Sequence, residues 1–152
     1  MEQNKAMEIM KQGHGCSESV LLAVCQEYGI ESDVIPRIAS CFAGGIGNSG
    51  SVCGAVTGAV MAIGVVADQG DSMDDYMNKM LLVQEFRQRF EQAMNTINCH
   101  EMTGADLTTP EGINAFMKSD IPQKVCFPAV GIAFNIVMEI LEKAGNQPET
   151  TG

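Results

Sequence analysis

Residues 38–67 read IASCFAGGIGNSGSVCGAVTGAVMAIGVVA, thirty consecutive positions without a charged side chain between Arg37 and Asp68. Uncharged length alone invites a membrane reading. The polar, glycine-rich break Gly44-Gly45-Ile46-Gly47-Asn48-Ser49-Gly50 divides the stretch, however, and leaves sixteen largely apolar residues from Val52 to Ala67. That is short of the roughly twenty that cross a bilayer. The segment therefore reads as a buried central helix, Ser51 to Ala67, with Gly54, Gly58 and Ala62 recurring every four residues on one face. Small residues at that spacing let a neighbouring helix approach closely, against the helix-propensity cost of glycine.

On both sides of this segment apolar residues recur at helical spacing, and no sustained alternation argues for strands. The expected fold is all-α, a single domain of five to six helices around the glycine-containing apolar helix, covering residues 1–145, with 146–152 as a flexible tail. Upstream, helices are predicted from Glu2 to Gln12, Ser17 to Tyr28 and Asp33 to Phe42. Downstream, Ser72 and Asp75 form a capping box that opens a long amphipathic helix, Met73 to Asn95, with Met77, Met80, Val83, Phe86, Phe90 and Met94 along its apolar stripe. Thr109-Pro110-Glu111 starts a short helix to Lys118, and a last helix runs from Pro128 to Lys143. Of the eleven methionines, the set on the long helix Met73 to Asn95 is expected to fill gaps between helices.

With 152 residues, 45% of them hydrophobic and 18% charged, the chain can remove roughly two-thirds of its unfolded surface from water. It needs no disulfide staples. Nine Lys and Arg against nineteen Asp and Glu give a formal charge of −10, which argues against nucleic acid or anionic lipid as partner, since such binding requires clustered cations. The opening residues MEQNKAMEIMKQGHG carry no apolar core of a secretory signal, so the expected location is cytoplasmic. In that compartment six cysteines point to thiols, metal ligands or redox centres rather than a permanent disulfide framework. So apolar a central helix in so small a domain also suggests a homodimer.

Four cysteines share a local context. Cys16, Cys53, Cys99 and Cys126 each lie in a Gly-, Asn- or Pro-bearing junction at or just before a predicted helix start, whereas Cys25 and Cys41 do not. Helix N-termini offer unpaired N–H groups and a positive dipole end, which favour thiolate over thiol. Four such thiolates could share one metal centre, although no C-x-x-C pair is present and folding would have to assemble them. On residue types alone, scattered core thiols remain the alternative. Cys25 reads as core, and Cys41 as a possible neighbour of the site. His14 and His100, beside Cys16 and Cys99, are possible accessory ligands or proton donors, with helix-end capping as the plainer role. Gly45-Ile46-Gly47-Asn48-Ser49-Gly50 also matches a dinucleotide fingerprint, with Asp68 as its acid, but no βαβ unit surrounds it.

Gly15-Cys16-Ser17-Glu18-Ser19-Val20-Leu21, Gly44-Gly45-Ile46-Gly47, the block Gly50 to Ala59, Cys99 and Cys126 together resemble the C_GCAxxG_C_C family of redox proteins, over about residues 13 to 135. The central block reads Cys53-Gly54-Ala55-x-x-Gly58 where the family name writes Gly-Cys-Ala-x-x-Gly. The resemblance implies a small helical redox protein whose four motif cysteines are Cys16, Cys53, Cys99 and Cys126. It favours an iron–sulfur centre on them, with [2Fe–2S] needing that number of ligands, used for electron transfer or redox sensing with an unidentified redox partner. Zinc comes second and a metal-free dithiol/disulfide exchanger third. No C-x-x-C-H haem-attachment site is present. The reading from a different class is a non-catalytic helical interaction or scaffold protein, with a structural zinc.

Overall fold

The computed structural model describes residues 2–67 and 70–149; Asp68 and the end of the expected tail, 150–152, lie outside the described residues. Among the described residues there are eight α-helices: α1 (Lys5–Lys11), α2 (Cys16–Glu27), α3 (Ala43–Ile46), α4 (Gly54–Val66), α5 (Met73–Met94), α6 (Cys99–Thr103), α7 (Pro110–Lys118) and α8 (Phe127–Lys143). No strand occurs among the described residues; the one extended pairing is an isolated antiparallel bridge between Val52 and Asn98. The fold is a single all-helical domain. The expected five to six helices fall short because α3 and α6 are single turns, too brief to leave a periodic signature.

Local chemistry sets most of the boundaries. Ser72 Oγ accepts from the Asp75 N–H at 3.0 Å while the Asp75 carboxylate accepts from the Ser72 N–H at 3.3 Å, so α5 starts at its capping box. Thr109 Oγ1 accepts from the Gly112 N–H and Pro110 occupies the first position of α7. The helix expected from Asp33 begins only at Arg37, as a 3-10 helix, Arg37–Phe42. Ile35 precedes Pro36, and the proline ring disfavours the α conformation for that residue. This 3-10 helix stands where a nucleotide-binding fingerprint requires a strand.

The core lies between α2, α4 and α8, with α1 and α5 packed around them. It is therefore shared by three helices and not wrapped about α4 alone. The α2–α4 contact is the closest. A Cβ added at Gly58 would fall well inside van der Waals distance of the Ser17 carbonyl, and one at Gly54 would meet the Cys16 sulfur. Ser17, fully buried, donates from Oγ to the Ala39 carbonyl at 2.7 Å and ties the 3-10 helix to the same junction.

The long helix departs from expectation in its first half. Phe86 and Phe90 are buried, their rings 5.9 Å apart, but Met73, Tyr76, Met77 and Leu81 are exposed. Met73 and Met77 therefore fill no core gap, whereas Leu82, Val83 and Met94 pack against the core to which Phe86 and Phe90 belong. Part of the expected tail folds back: the Glu149 N–H donates to the Glu27 carbonyl at 2.8 Å, and Tyr28 Oη donates to the Asn146 carbonyl at 3.1 Å. By length and composition the helical run Pro122–Lys143 is long and apolar enough to cross a membrane. Its Ala129, Val130, Ala133, Val137 and Leu141 are buried in the core, the pattern of a central helix.

Between the 3-10 helix and α4 the backbone turns left-handed: Gly44, Gly45, Ile46, Gly47 and Asn48 all have positive φ. Ile46, at φ 63° and 44% exposed, is β-branched and gains little packing for that strain. Replacing it should therefore help. Ile46→Asn is expected to raise stability by about 1 kcal/mol, read by urea denaturation. On α4, Gly58→Ala should destabilise by about 1–3 kcal/mol through the Ser17 overlap. Gly64→Ala, whose Cβ meets nothing within 4 Å among the described residues, should stabilise by up to about 1 kcal/mol. Equal effects at the two glycines would refute the close α2–α4 contact.

Candidate functional site

Three of the four cysteines stand at a helix start; Cys126, expected at one, lies instead within the continuous helical run Pro122–Lys143. Cys16 is the first residue of α2, Cys53 the N-cap of α4, Cys99 the first residue of α6, and Cys126 ends a π-helical turn, Pro122–Cys126, that runs directly into α8. The bridge between Val52 and Asn98 holds two of these starts together. The Cys53 N–H donates to the Ile97 carbonyl at 2.8 Å and the Cys99 N–H to the Ser51 carbonyl at 2.7 Å. The left-handed turn supplies the remaining room: a Cβ on Gly45 would sit 2.7 Å from the Cys99 Cβ. All four cysteines line one cavity of about 480 Å³.

Of the other candidates, only His14 lines this cavity, its Nδ1 3.8 Å from the Glu18 carboxylate. His100 is exposed, its Nδ1 2.9 Å from the Ala105 carbonyl. Cys41 is exposed beside Ser40, and Cys25 is wholly buried in the core, its thiol pushed up to about 11 by burial.

The electrostatics reverse one expectation. Helix starts were expected to favour thiolates, yet burial raises all four thiols above their ordinary value of 9.0, Cys53 and Cys126 to about 12. Desolvation is the largest cause at each. The charge of Cys16 adds to it at Cys53, Cys99 and Cys126, which places Cys16 at the electrostatic centre of the group. Opposing this, backbone hydrogen bonds from Gly44, Ser17, Cys16 itself and Gly54 favour the Cys16 thiolate, and those from Ala55 and Val56 favour that of Cys53. The helix termini thus act in the expected direction and are outweighed by the cost of a charge in an apolar cavity.

The donor set, four soft sulfurs with N–H groups directed at two of them, fits a thiolate-ligated metal centre, where the cation removes the desolvation penalty. Among the described residues no group of three or more His, Cys, Asp or Glu gathers closely enough to hold a single metal ion. Sequence reasoning also missed an apolar part of the cavity lining, Leu107, Ile113, Phe116 and Met117. Its signal was the i, i+3, i+4 spacing of the last three on α7.

A family model described as "Putative redox-active protein (C_GCAxxG_C_C)" matches residues 14–140. No curated protein and no solved structure matches the chain.

The raised thiols carry a sign for stability. In the metal-free, reduced protein the folded state keeps Cys53 and Cys126 protonated up to about pH 12, while the unfolded chain releases those protons from about 9.0. Folding free energy is fully present below pH 9 and should fall between pH 9 and 12, by about 1.4 kcal/mol per pH unit for each such thiol. Urea denaturation across that range, with Cys53→Ala and Cys126→Ala flattening the decline, checks this.

Proposed function

Given that the chain belongs to the C_GCAxxG_C_C family, we propose that Cys16, Cys53, Cys99 and Cys126 hold an iron–sulfur centre used for electron transfer or redox sensing. The observation that carries this reading is their common cavity, reached from three helix starts and from within the helical run Pro122–Lys143. Such a centre supplies one-electron chemistry at a potential set by hydrogen bonds and burial.

The chain's own part is to hold and shield. α2 and α4 start side by side because Gly54 and Gly58 carry no Cβ, and this brings Cys16 beside the first turn of α4. Backbone N–H groups at Cys16 and Cys53 stabilise negative charge on those sulfurs. Apolar side chains around the cavity keep water from competing for the ligands.

Zinc is the second choice of metal. A tetrahedral zinc site gathers its ligands on one ion, and among the described residues no group of three His, Cys, Asp or Glu gathers around one point.

Protein purified without oxygen is expected to be brown and to contain iron and acid-labile sulfide in stoichiometric amounts. Cys16→Ser and Cys53→Ser should each lower the iron content to background while far-ultraviolet circular dichroism stays helical. Gly54→Ala, which presses a methyl group against the Cys16 sulfur, should reduce iron content without removing a ligand. A colourless protein that takes up neither iron nor sulfide on anaerobic reconstitution would overturn the reading, and stoichiometric zinc that iron cannot replace would convert it to a structural site.

A further inference from the structure

The four cysteines make up only part of the cavity lining. Its volume of about 480 Å³ falls in the range of small-molecule sites, roughly 300–1,000 Å³. Much of the remaining lining is apolar and partly aromatic, with Leu107, Ile113, Phe116, Met117 and Phe127. Polar groups are few: His14, Asn48, Gln123 and Thr103, whose hydroxyl already donates to the Cys99 carbonyl at 2.8 Å. No described lining residue is Asp, Glu, Lys or Arg, in a chain that is 18% charged.

α7 is built for such a lining. None of its residues is buried, and Ile113 and Met117 remain 36% and 67% exposed although they line the cavity. Its apolar face is thus committed to the cavity and to no packed core. A charged ligand entering there would lose its hydration and find no counter-ion among the described side chains. A neutral ring could lie against Phe116 and Phe127 while the amide of Asn48 or Gln123 donates to a carbonyl.

We propose that the cavity between α7 and the four thiols is a binding site for an uncharged, mainly apolar ring compound bearing a carbonyl group, with α7 as its outer wall. Binding rests on the shape and polarity of the cavity; only its redox use rests on the iron–sulfur reading.

Three probes of one shape separate the possibilities: 2,3,5,6-tetramethylbenzamide, the corresponding benzoate anion and the corresponding benzylammonium cation. None oxidises or alkylates a thiol. Titrations followed by calorimetry or ligand-observed NMR are run on the protein as purified without oxygen and on its metal-free form. The amide should bind one to one in at least one form, with both ions weaker by about ten-fold or more, the cation included despite the net charge of −10. Phe116→Asp should weaken the amide by about ten-fold or more without moving the thermal midpoint, and Met73→Asp on the exposed face of α5 should leave binding unchanged.

Failure of the amide to saturate in both forms, equal binding of an ion, or indifference to Phe116→Asp would overturn the site. Iron without amide binding refutes this inference alone. Amide binding without iron refutes the cluster alone.

Discussion

The contact between α2 and α4 is the constraint on which the rest of the molecule depends. Two helices can bring their first turns together only where one presents no side chain, and Gly54 and Gly58 are those positions. A Cβ at either would meet the sulfur of Cys16 or the backbone of Ser17, and backbone cannot turn aside as a side-chain tip can. The same junction anchors the 3-10 helix through Ser17 and brings Gly44 to the Cys16 sulfur. Packing and site are therefore one arrangement, and a change that loosens the core also moves a thiol.

Placing four sulfurs in an apolar cavity sets two effects against each other. Helix starts direct N–H groups at Cys16 and Cys53 and lower the cost of a thiolate; burial, joined at Cys53 by repulsion from Cys16 and Cys99, raises it by more. The result is a set of neutral thiols at physiological pH. Neutral thiols are poor nucleophiles, which disfavours a metal-free exchanger that relies on thiolate attack. A metal cation reverses the balance, since it supplies in the cavity the positive charge that no described lining side chain carries. The N–H groups then act with the cation and not against desolvation.

Much of this was legible in the sequence where the governing interactions are local. Ser72 with Asp75, and Thr109 with Pro110, set helix starts within four residues, and the placement of Cys16, Cys53 and Cys99 at helix starts follows from the same reasoning, whereas Cys126 falls inside the run Pro122–Lys143 because a π-helical turn extends that helix upstream of Pro128. The Gly-Gly-x-Gly-Asn run reads as a turn, although only the backbone reveals that it is left-handed through Ile46. Contacts between distant segments were not legible. The pairing of Val52 with Asn98 has no periodic signature, and the exposed first half of α5 carries the same spacing as its buried second half. A stripe of methionines states what a helix offers to a neighbour; it does not state where the neighbour ends.

The cavity inherits an asymmetry from these contacts. Cys16 and Cys53 are carried by helices locked in the core, where a methyl group is felt at once. Part of the remaining lining is carried by α7, which buries no residue of its own. Substitutions on α7 can alter the size and polarity of the cavity at little cost to folding, since they create neither a void nor an unpaired group in the core. Substitutions on the sulfur side cannot. A fold divided in this way can keep its core thiols fixed while the residues that line the rest of the cavity change.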